Sequence, residues 1–351
     1  MTISVLVVDD SALIRQVLGE LIRTAPGFRL VGTASDAYAA RDLVNEFAPD
    51  VITLDIEMPR MDGLTFLAKL MKARPTPVVM VSTLTEEGAD ATLRALELGA
   101  VDFVAKPKLD IRKGLEEYRE VLLDKLRAAA QAKVKRAAPK AAGGGAIPDT
   151  ISYQGTEHVI AIGASTGGTE AIRAVLEALP VGMPGIVMTQ HMPPGFTTSY
   201  AARLDRVSRL RVQEVKGGER ILPGHAYLAP GDKHLLVERY GADLVCRLSD
   251  ADPVNRHKPS VDVMFDSVAR TCGASATGVL LTGMGKDGGQ GMLTMQQHGA
   301  LTIAQDEASC VVFGMPKEAI RLGGVSEVLP LEHVAARLVN HMKQVGRGNR
   351  V

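Results

Sequence analysis

The chain has 351 residues, 40 basic and 40 acidic side chains, and therefore no net charge; hydrophobic residues make up 46% and charged residues 23%. At roughly 100 to 200 residues per domain, this length predicts two globular domains, and the charge balance gives no electrostatic case for a nucleic-acid partner. Asp9 and Asp10 come before any signal-peptide run can develop, and no stretch approaches the ~18 apolar residues that span a bilayer, so the expectation is a cytoplasmic protein not inserted in a membrane.

In chain order, the apolar runs Val5 to Val8, Phe28 to Ala34, Val51 to Leu54, Val78 to Val81 and Val101 to Val104 read as strands. Helical patterns fall between them near 12 to 24, 36 to 47, 64 to 73 and 86 to 98, and a fifth runs from about Ile111 to Ala130. Five βα units with Val/Ile/Leu-rich strands predict a parallel sheet covered on both faces. The Ala/Lys-rich stretch Ala128 to Ala146 ends in three glycines and reads as an exposed linker. Beyond it, strands are expected at His158 to Ile162 and Gly185 to Gln190 around a helix at Gly168 to Leu179. Short strands at Val212 to Val215, His225 to Leu228, His234 to Glu238 and Leu244 to Leu248 are spaced like hairpins. A helix at 261 to 272, a strand at Thr277 to Leu281, a helix at 288 to 298, a strand at Leu301 to Ala304 and a helix at 331 to 344 complete a second α/β unit. Cys246, Cys272 and Cys310 are odd in number and lack a C-x-x-C pair, which argues against a disulfide framework or a zinc site.

In an open parallel sheet, ligands bind beyond the carboxyl ends of the strands. Asp9 and Asp10 end the first strand of the first unit and Asp55 follows the third. Three converging carboxylates repel one another unless a cation lies among them, and a hard oxygen set suits Mg²⁺, which would also orient a phosphate for in-line attack by a carboxylate. Ser82 or Thr83 after the fourth strand and Lys106 after the fifth reach the same edge, where a hydroxyl and an ammonium can bind an acyl phosphate. Each residue alone reads as a helix cap or turn; five at successive strand ends do not.

The motifs VLVVDDS, TLDIEMPRMDG, VVMVST and DFVAKP, in this order, resemble the receiver domain of two-component response regulators. The resemblance covers about residues 1 to 125 and implies a flavodoxin-like fold. It further implies Asp55 as the phosphorylated residue, Asp10, Asp55 and the Glu57 carbonyl as Mg²⁺ ligands near Asp9, and a histidine kinase as donor.

In the second unit, Gly163-Ala-Ser165-Thr166-Gly167-Gly168 sits between a strand and a helix. A dinucleotide fingerprint needs a second glycine where Ser165 stands, and a phosphate loop needs a lysine that is absent. The segment fits G-x-S-x-G, a sharp turn that exposes a serine hydroxyl near helix N-terminal amides. Helix-capping serines satisfy the same pattern, so the reading needs a base. His191 ends the apolar strand from Gly185 and reaches the same edge as Ser165, and Asp287, in Thr282-Gly-Met-Gly-Lys-Asp-Gly-Gly, is the acid that can orient it. A DNA-binding output would require a basic helix-turn-helix, which the α/β pattern after residue 150 does not offer.

GASTGG, TQHMPPGF, KPSVDVMF and LLTGMGKDG resemble the catalytic domain of the chemotaxis protein-glutamate methylesterases, and together with a receiver they match the CheB family over nearly the whole chain. The fold so implied is a receiver over 1–125, a linker over 126–150 and a doubly wound, mostly parallel α/β methylesterase domain over 151–346. The activity implied is hydrolysis of glutamate γ-methyl esters on chemoreceptors, releasing methanol, and deamidation of receptor glutamines. It makes Ser165 the nucleophile, His191 the base and Asp287 its orienter, with the amides of Thr166 and Met284 as the expected oxyanion hole. The kinase CheA is the implied phosphodonor, methyl-accepting chemoreceptors are the implied substrates, and the esterase itself needs no cofactor.

Overall fold

The computed structural model describes residues 2–83, 85–107, 112–132, 150 and 157–348. The chain divides into two compact units, Met1–Lys140 and Ala141–Val351.

The first unit alternates β1 (Ile3–Val8), α1 (Ala12–Arg23), β2 (Phe28–Ala34), α2 (Ala37–Phe47), β3 (Val51–Asp55), α3 (Gly63–Ala73), β4 (Val78–Ser82), α4 (Glu86–Glu97), β5 (Asp102–Ala105) and α5 (Arg112–Gln131). Its strands pair in parallel in the order β2-β1-β3-β4-β5. Both faces are covered, so β3 and β4 are buried along their whole length rather than alternating. Ser11, Asp36, Asp62 and Thr85 start α1 to α4, each accepting a first-turn N–H at about 1 kcal/mol of helix stability. The chain passes from β1 to β2 on one side and returns to β3 on the other, so the strand order reverses between β1 and β3, where Asp9, Asp10 and Asp55 stand.

The linker expectation requires one correction. Residues 126 to 131 are the last turns of α5, and Leu126, Ala128 and Ala129 are buried. Leu122, Leu126 and Ala129 form one stripe at i, i+4 and i+7, so the alanines continue an apolar face that composition alone disguised. Most of the remaining linker, 133–149, lies outside the described residues.

The second unit contains β6 (Val159–Ala164), α6 (Gly168–Ala178), β7 (Gly185–Gln190), α7 (Phe196–Val207), β8 (Arg211–Glu214), β9 (His225–Leu228), β10 (His234–Tyr240), β11 (Asp243–Ser249), α8 (Val261–Cys272), β12 (Ala276–Leu280), α9 (Gly289–Gln297), β13 (Leu301–Gln305), α10 (Met315–Arg321), β14 (Glu327–Leu329) and α11 (Leu331–Gly348). Seven strands form one parallel sheet in the order β14-β13-β12-β6-β7-β9-β8. β10 and β11 are the expected hairpin, whereas β8 and β9 are not: they join the main sheet side by side in parallel. The segment linking β8 to β9 crosses over against β11, through Gly218 N–H to Cys246 O, Cys246 N–H to Glu219 O and Ile221 N–H to Leu244 O, each at 2.8 Å. That excursion supplies the crossover a parallel return requires. Successive strands run outward from β6 through β7, and the chain then returns to β12 on the other side, so the switch point of this sheet lies between β6 and β12.

Candidate functional sites

The first site is the acidic cleft. One carboxylate oxygen from each of Asp9, Asp10 and Asp55 falls within 4.8 Å of the others. Lys106 Nζ lies 2.7 Å from Asp55 Oδ2 and 3.5 Å from Asp9 Oδ2. Asp9 Oδ1 accepts the Ser11 N–H, while its buried Oδ2 has no hydrogen bond among the described residues. Burial pushes the Asp55 carboxyl up to about 6 against the pull of Lys106, and burial likewise raises Asp9. Two desolvated acids and a third beside them, with one oxygen unsatisfied, are a donor set that fits a hard divalent cation. A cleft of about 200 Å³ adjoins them, lined by Asp55, Ile56, Glu57, Ser82, Thr83, Glu87, Gly88 and Ala91. Ser82 and Thr83 both reach it; the Ser82 hydroxyl donates to Gly88 O at 3.2 Å, and Thr83 Oγ1 lies 3.2 Å from Thr85 Oγ1.

The second site forms along the β7-β6-β12 edge. Ala164 and Gln190 are the last paired residues of β6 and β7, so Ser165 and His191 head adjacent strands that run about 4.8 Å apart. The His191 N–H donates to Ala164 O at 3.2 Å, and Gln190 Nε2 donates to Ser165 O at 2.9 Å, tying the two strand ends together. Ser165 N–H donates to Thr282 O at 3.0 Å, which joins the same turn to the end of β12. Gly167 begins α6 at φ +77°, a left-handed turn that glycine adopts without strain. Close approach dictates Gly283 as well: a Cβ there would lie 2.3 Å from Met315 Sδ and 2.8 Å from Ser165 Cβ.

Asp287 is fully buried and receives five donors. Its Oδ2 accepts His191 Nε2 at 2.8 Å and the Val261 N–H at 2.7 Å. Its Oδ1 accepts Ser260 Oγ at 2.8 Å, Asn255 Nδ2 at 2.9 Å and the Asp262 N–H at 3.3 Å. Burial alone would raise this acid, but the hydrogen bond and charge of His191, then Asn255 and Val261, outweigh it and hold Asp287 well below the usual carboxylate range. The two amides belong to the first turn of α8, whose dipole favours an anion at that end.

Because an ionised carboxylate only accepts, the proton of the His191–Asp287 bond resides on His191 Nε2. Nδ1 is then the basic nitrogen. It is buried and has no hydrogen-bond partner among the described residues, so Ser165 Oγ, on the neighbouring strand end, is not hydrogen-bonded to it, a looseness common in ligand-free hydrolase sites. The N–H of Met284 makes no hydrogen bond among the described residues, and Thr166 is buried with its carbonyl accepting the Thr282 hydroxyl at 3.0 Å.

Sequence reasoning missed Asn255 and Ser260, which donate to Asp287, and His257, which packs on His191. The His257 ring stacks on His191 with centroids 3.6 Å apart and planes 10° from parallel. Ser260 carried a usable signal, as a Ser heading an apolar helical pattern; Asn255 and His257 carried none.

An acidic receiver cleft in one unit and a Ser, a His and an ionised Asp on one sheet edge of the other define a response regulator whose output unit carries hydrolase-type residues. The family signature described as CheB methylesterase matches residues 160–338, and that of the response regulator receiver domain matches residues 5–116. A protein-glutamate methylesterase/protein-glutamine glutaminase from Pseudomonas aeruginosa is 58% identical over 352 residues, covering 100% of both chains; one from Salmonella typhimurium is 57% identical over 340 residues, covering 96% of both. The crystal structure of the Thermotoga maritima CheB methylesterase catalytic domain is 40% identical with a TM-score of 0.52, covering 53% of this chain and 99% of that one. The chain belongs to the CheB methylesterase family.

Proposed function

We propose that this protein is a phosphorylation-activated hydrolase of chemotaxis adaptation, cleaving glutamate γ-methyl esters on chemoreceptors and deamidating specific receptor glutamines. The observation that carries the reading is the His191–Asp287 pair, which leaves His191 Nδ1 basic and unpartnered beside Ser165. Ser165 Oγ attacks the ester carbonyl while His191 Nδ1 takes its proton; the same nitrogen then protonates the departing methoxide, and methanol leaves. Water, deprotonated by His191, hydrolyses the glutamyl ester on Ser165. For a glutamine side chain the leaving group is ammonia. Asp287 keeps the imidazole oriented and balances its positive charge, and the amides of Thr166 and Met284 are assigned to the developing oxyanion.

In the receiver, Asp9, Asp10 and Asp55 with the Glu57 carbonyl would hold Mg²⁺, which supplies charge neutralisation for an incoming phosphoryl group. Asp55 is the acceptor, Lys106 its cationic partner, and Ser82 or Thr83 the hydroxyl that senses the product. The phosphodonor is the chemotaxis kinase CheA. Receiver and catalytic domain are assigned to 1–125 and 151–346, with α5 carrying the first unit on to Gln131 and the linker following it. No helix among the described residues is long and apolar enough to cross a membrane, and the assigned location is the cytoplasm.

The test is methanol release from methylated receptor membranes. Ser165→Ala is expected to lower the rate by about 10⁴-fold or more with folding intact. An unchanged rate would refute the assignment.

A further inference from the structure

Asn255 lies in a two-residue turn closed by reciprocal backbone bonds, Val254 N–H to His257 O at 3.1 Å and His257 N–H to Val254 O at 2.9 Å. Asn255 and Arg256 occupy the two central positions at φ +52° and +69°, the left-handed pair of a type I′ turn. Asn tolerates that region better than most residues, but its side chain here does more than permit the turn. Nδ2 donates both to Asp262 Oδ2 at 2.7 Å and to Asp287 Oδ1 at 2.9 Å. The turn is therefore pinned to the orienting acid on one side and to the first turn of α8 on the other, where Asp262 Oδ1 also accepts the Gly291 N–H at 2.7 Å. Its last residue, His257, projects its ring flat against the ring of His191.

One short segment thus handles both partners of the His–Asp pair: Asn255, Ser260, Val261 and Asp262 donate to Asp287, and His257 covers one face of His191. We propose that Asn255 and His257 are positioning residues for the esterase reaction, with Asn255 anchoring the turn to Asp287 so that the His257 ring stops His191 from rotating its Nδ1 away from Ser165. The need for such a stop follows from the geometry. Among the described residues the His191 ring makes one hydrogen bond, to Asp287, and a single bond fixes its position without fixing its rotation about that bond. A stacked ring removes that freedom without consuming Nδ1.

This inference rests on the assigned roles of Ser165, His191 and Asp287, and its experiment separates the two. Asn255→Gly keeps the left-handed backbone, because glycine adopts φ +52° readily, and deletes the anchor together with its one hydrogen bond to Asp287. His257→Ala keeps the anchor and deletes the ring, and His257→Phe restores a flat face. In full-length protein, Asn255→Gly and His257→Ala are each expected to lower kcat about 10- to 100-fold with KM changed less than about threefold, as misplacement of a catalytic group does. His257→Phe is expected to recover most of that loss. The double variant is expected to be little worse than either single one, since both act through the same contact. By NMR without substrate, the His191 Nε2 proton is expected sharp in the wild type and His257→Phe, and exchange-broadened in the other two. Unchanged kcat, a loss confined to KM, equal losses for His257→Ala and His257→Phe, or a sharp proton signal in every variant would overturn the positioning role. A wild type with no esterase activity would instead refute the proposed function, leaving the NMR comparison to decide the inference.

Discussion

Asp55 and Asp287 are the same residue type, each almost fully buried beyond the carboxyl end of a parallel sheet, at 1% and 0% exposure. Their pKa values nevertheless move in opposite directions. Asp55 has Lys106 and one backbone donor to set against its desolvation and against the charge of Asp9, and it rises to about 6. Asp287 has five donors, two of them first-turn amides of α8, and stays ionised. Burial sets the cost of the charge, and the donors decide whether it is kept. An acid left short of donors beside other carboxylates suits the cation and phosphoryl group proposed for Asp55; a saturated one is a fixed negative charge that can orient an imidazole.

The largest effect in this comparison should come from removing the charge of Asp287. Asp287→Asn is expected to lower methanol release on the order of 10³- to 10⁴-fold, because an amide can donate to His191 Nε2 and so favours the wrong tautomer. Removing one donor is milder: Ser260→Ala deletes a hydrogen bond to a charged acceptor, worth about 1.5–3 kcal/mol, and should reduce kcat by roughly tenfold or more. If Ser260→Ala were as severe as Asp287→Asn, the donors would not be acting singly and the comparison would need revision.

A buried group away from both clusters gives a smaller test by a different readout. His158 Nε2 lies 2.9 Å from Thr277 Oγ1 and its ring meets His341 edge-on at 5.7 Å. Burial, reinforced by His341, lowers His158 from 6.5 to about 4. A depressed histidine contributes stability that is present above pH 6.5 and is lost as pH falls towards 4, here on the order of 3 kcal/mol at most. Denaturation midpoints of the second unit should therefore drop over that window, and His158→Gln should flatten the drop. A wild-type profile flat from pH 7 to 4 would contradict it.

Strand ends were the legible part of both sites. Buried parallel strands are continuous apolar runs, so the residues following them, Asp9, Asp55, Ser165 and His191, could be assigned to one edge of their sheet by counting. Asp287 was legible because a Gly-rich turn follows β12 directly. What escaped depends on contacts between distant segments. β8 and β9 have hairpin spacing, and only the pairing of their connection with β11 makes them parallel neighbours. Asn255 hydrogen-bonds a residue 32 positions away and His257 stacks on one 66 positions away, across turns with no local pattern. The burial of Ala128 and Ala129 was hidden because alanine is neutral in composition but apolar in a stripe.

The most direct measurement is the rate of methanol release by wild type, Asp55→Asn and Asp287→Asn, each with and without a small-molecule phosphodonor and Mg²⁺. If one acid regulates and the other is chemical, wild type is accelerated by the phosphodonor, Asp55→Asn keeps the basal rate but loses the response, and Asp287→Asn is slow in both conditions. An Asp55→Asn variant that still responds, or an Asp287→Asn variant restored to the wild-type rate by the phosphodonor, would contradict that division of roles.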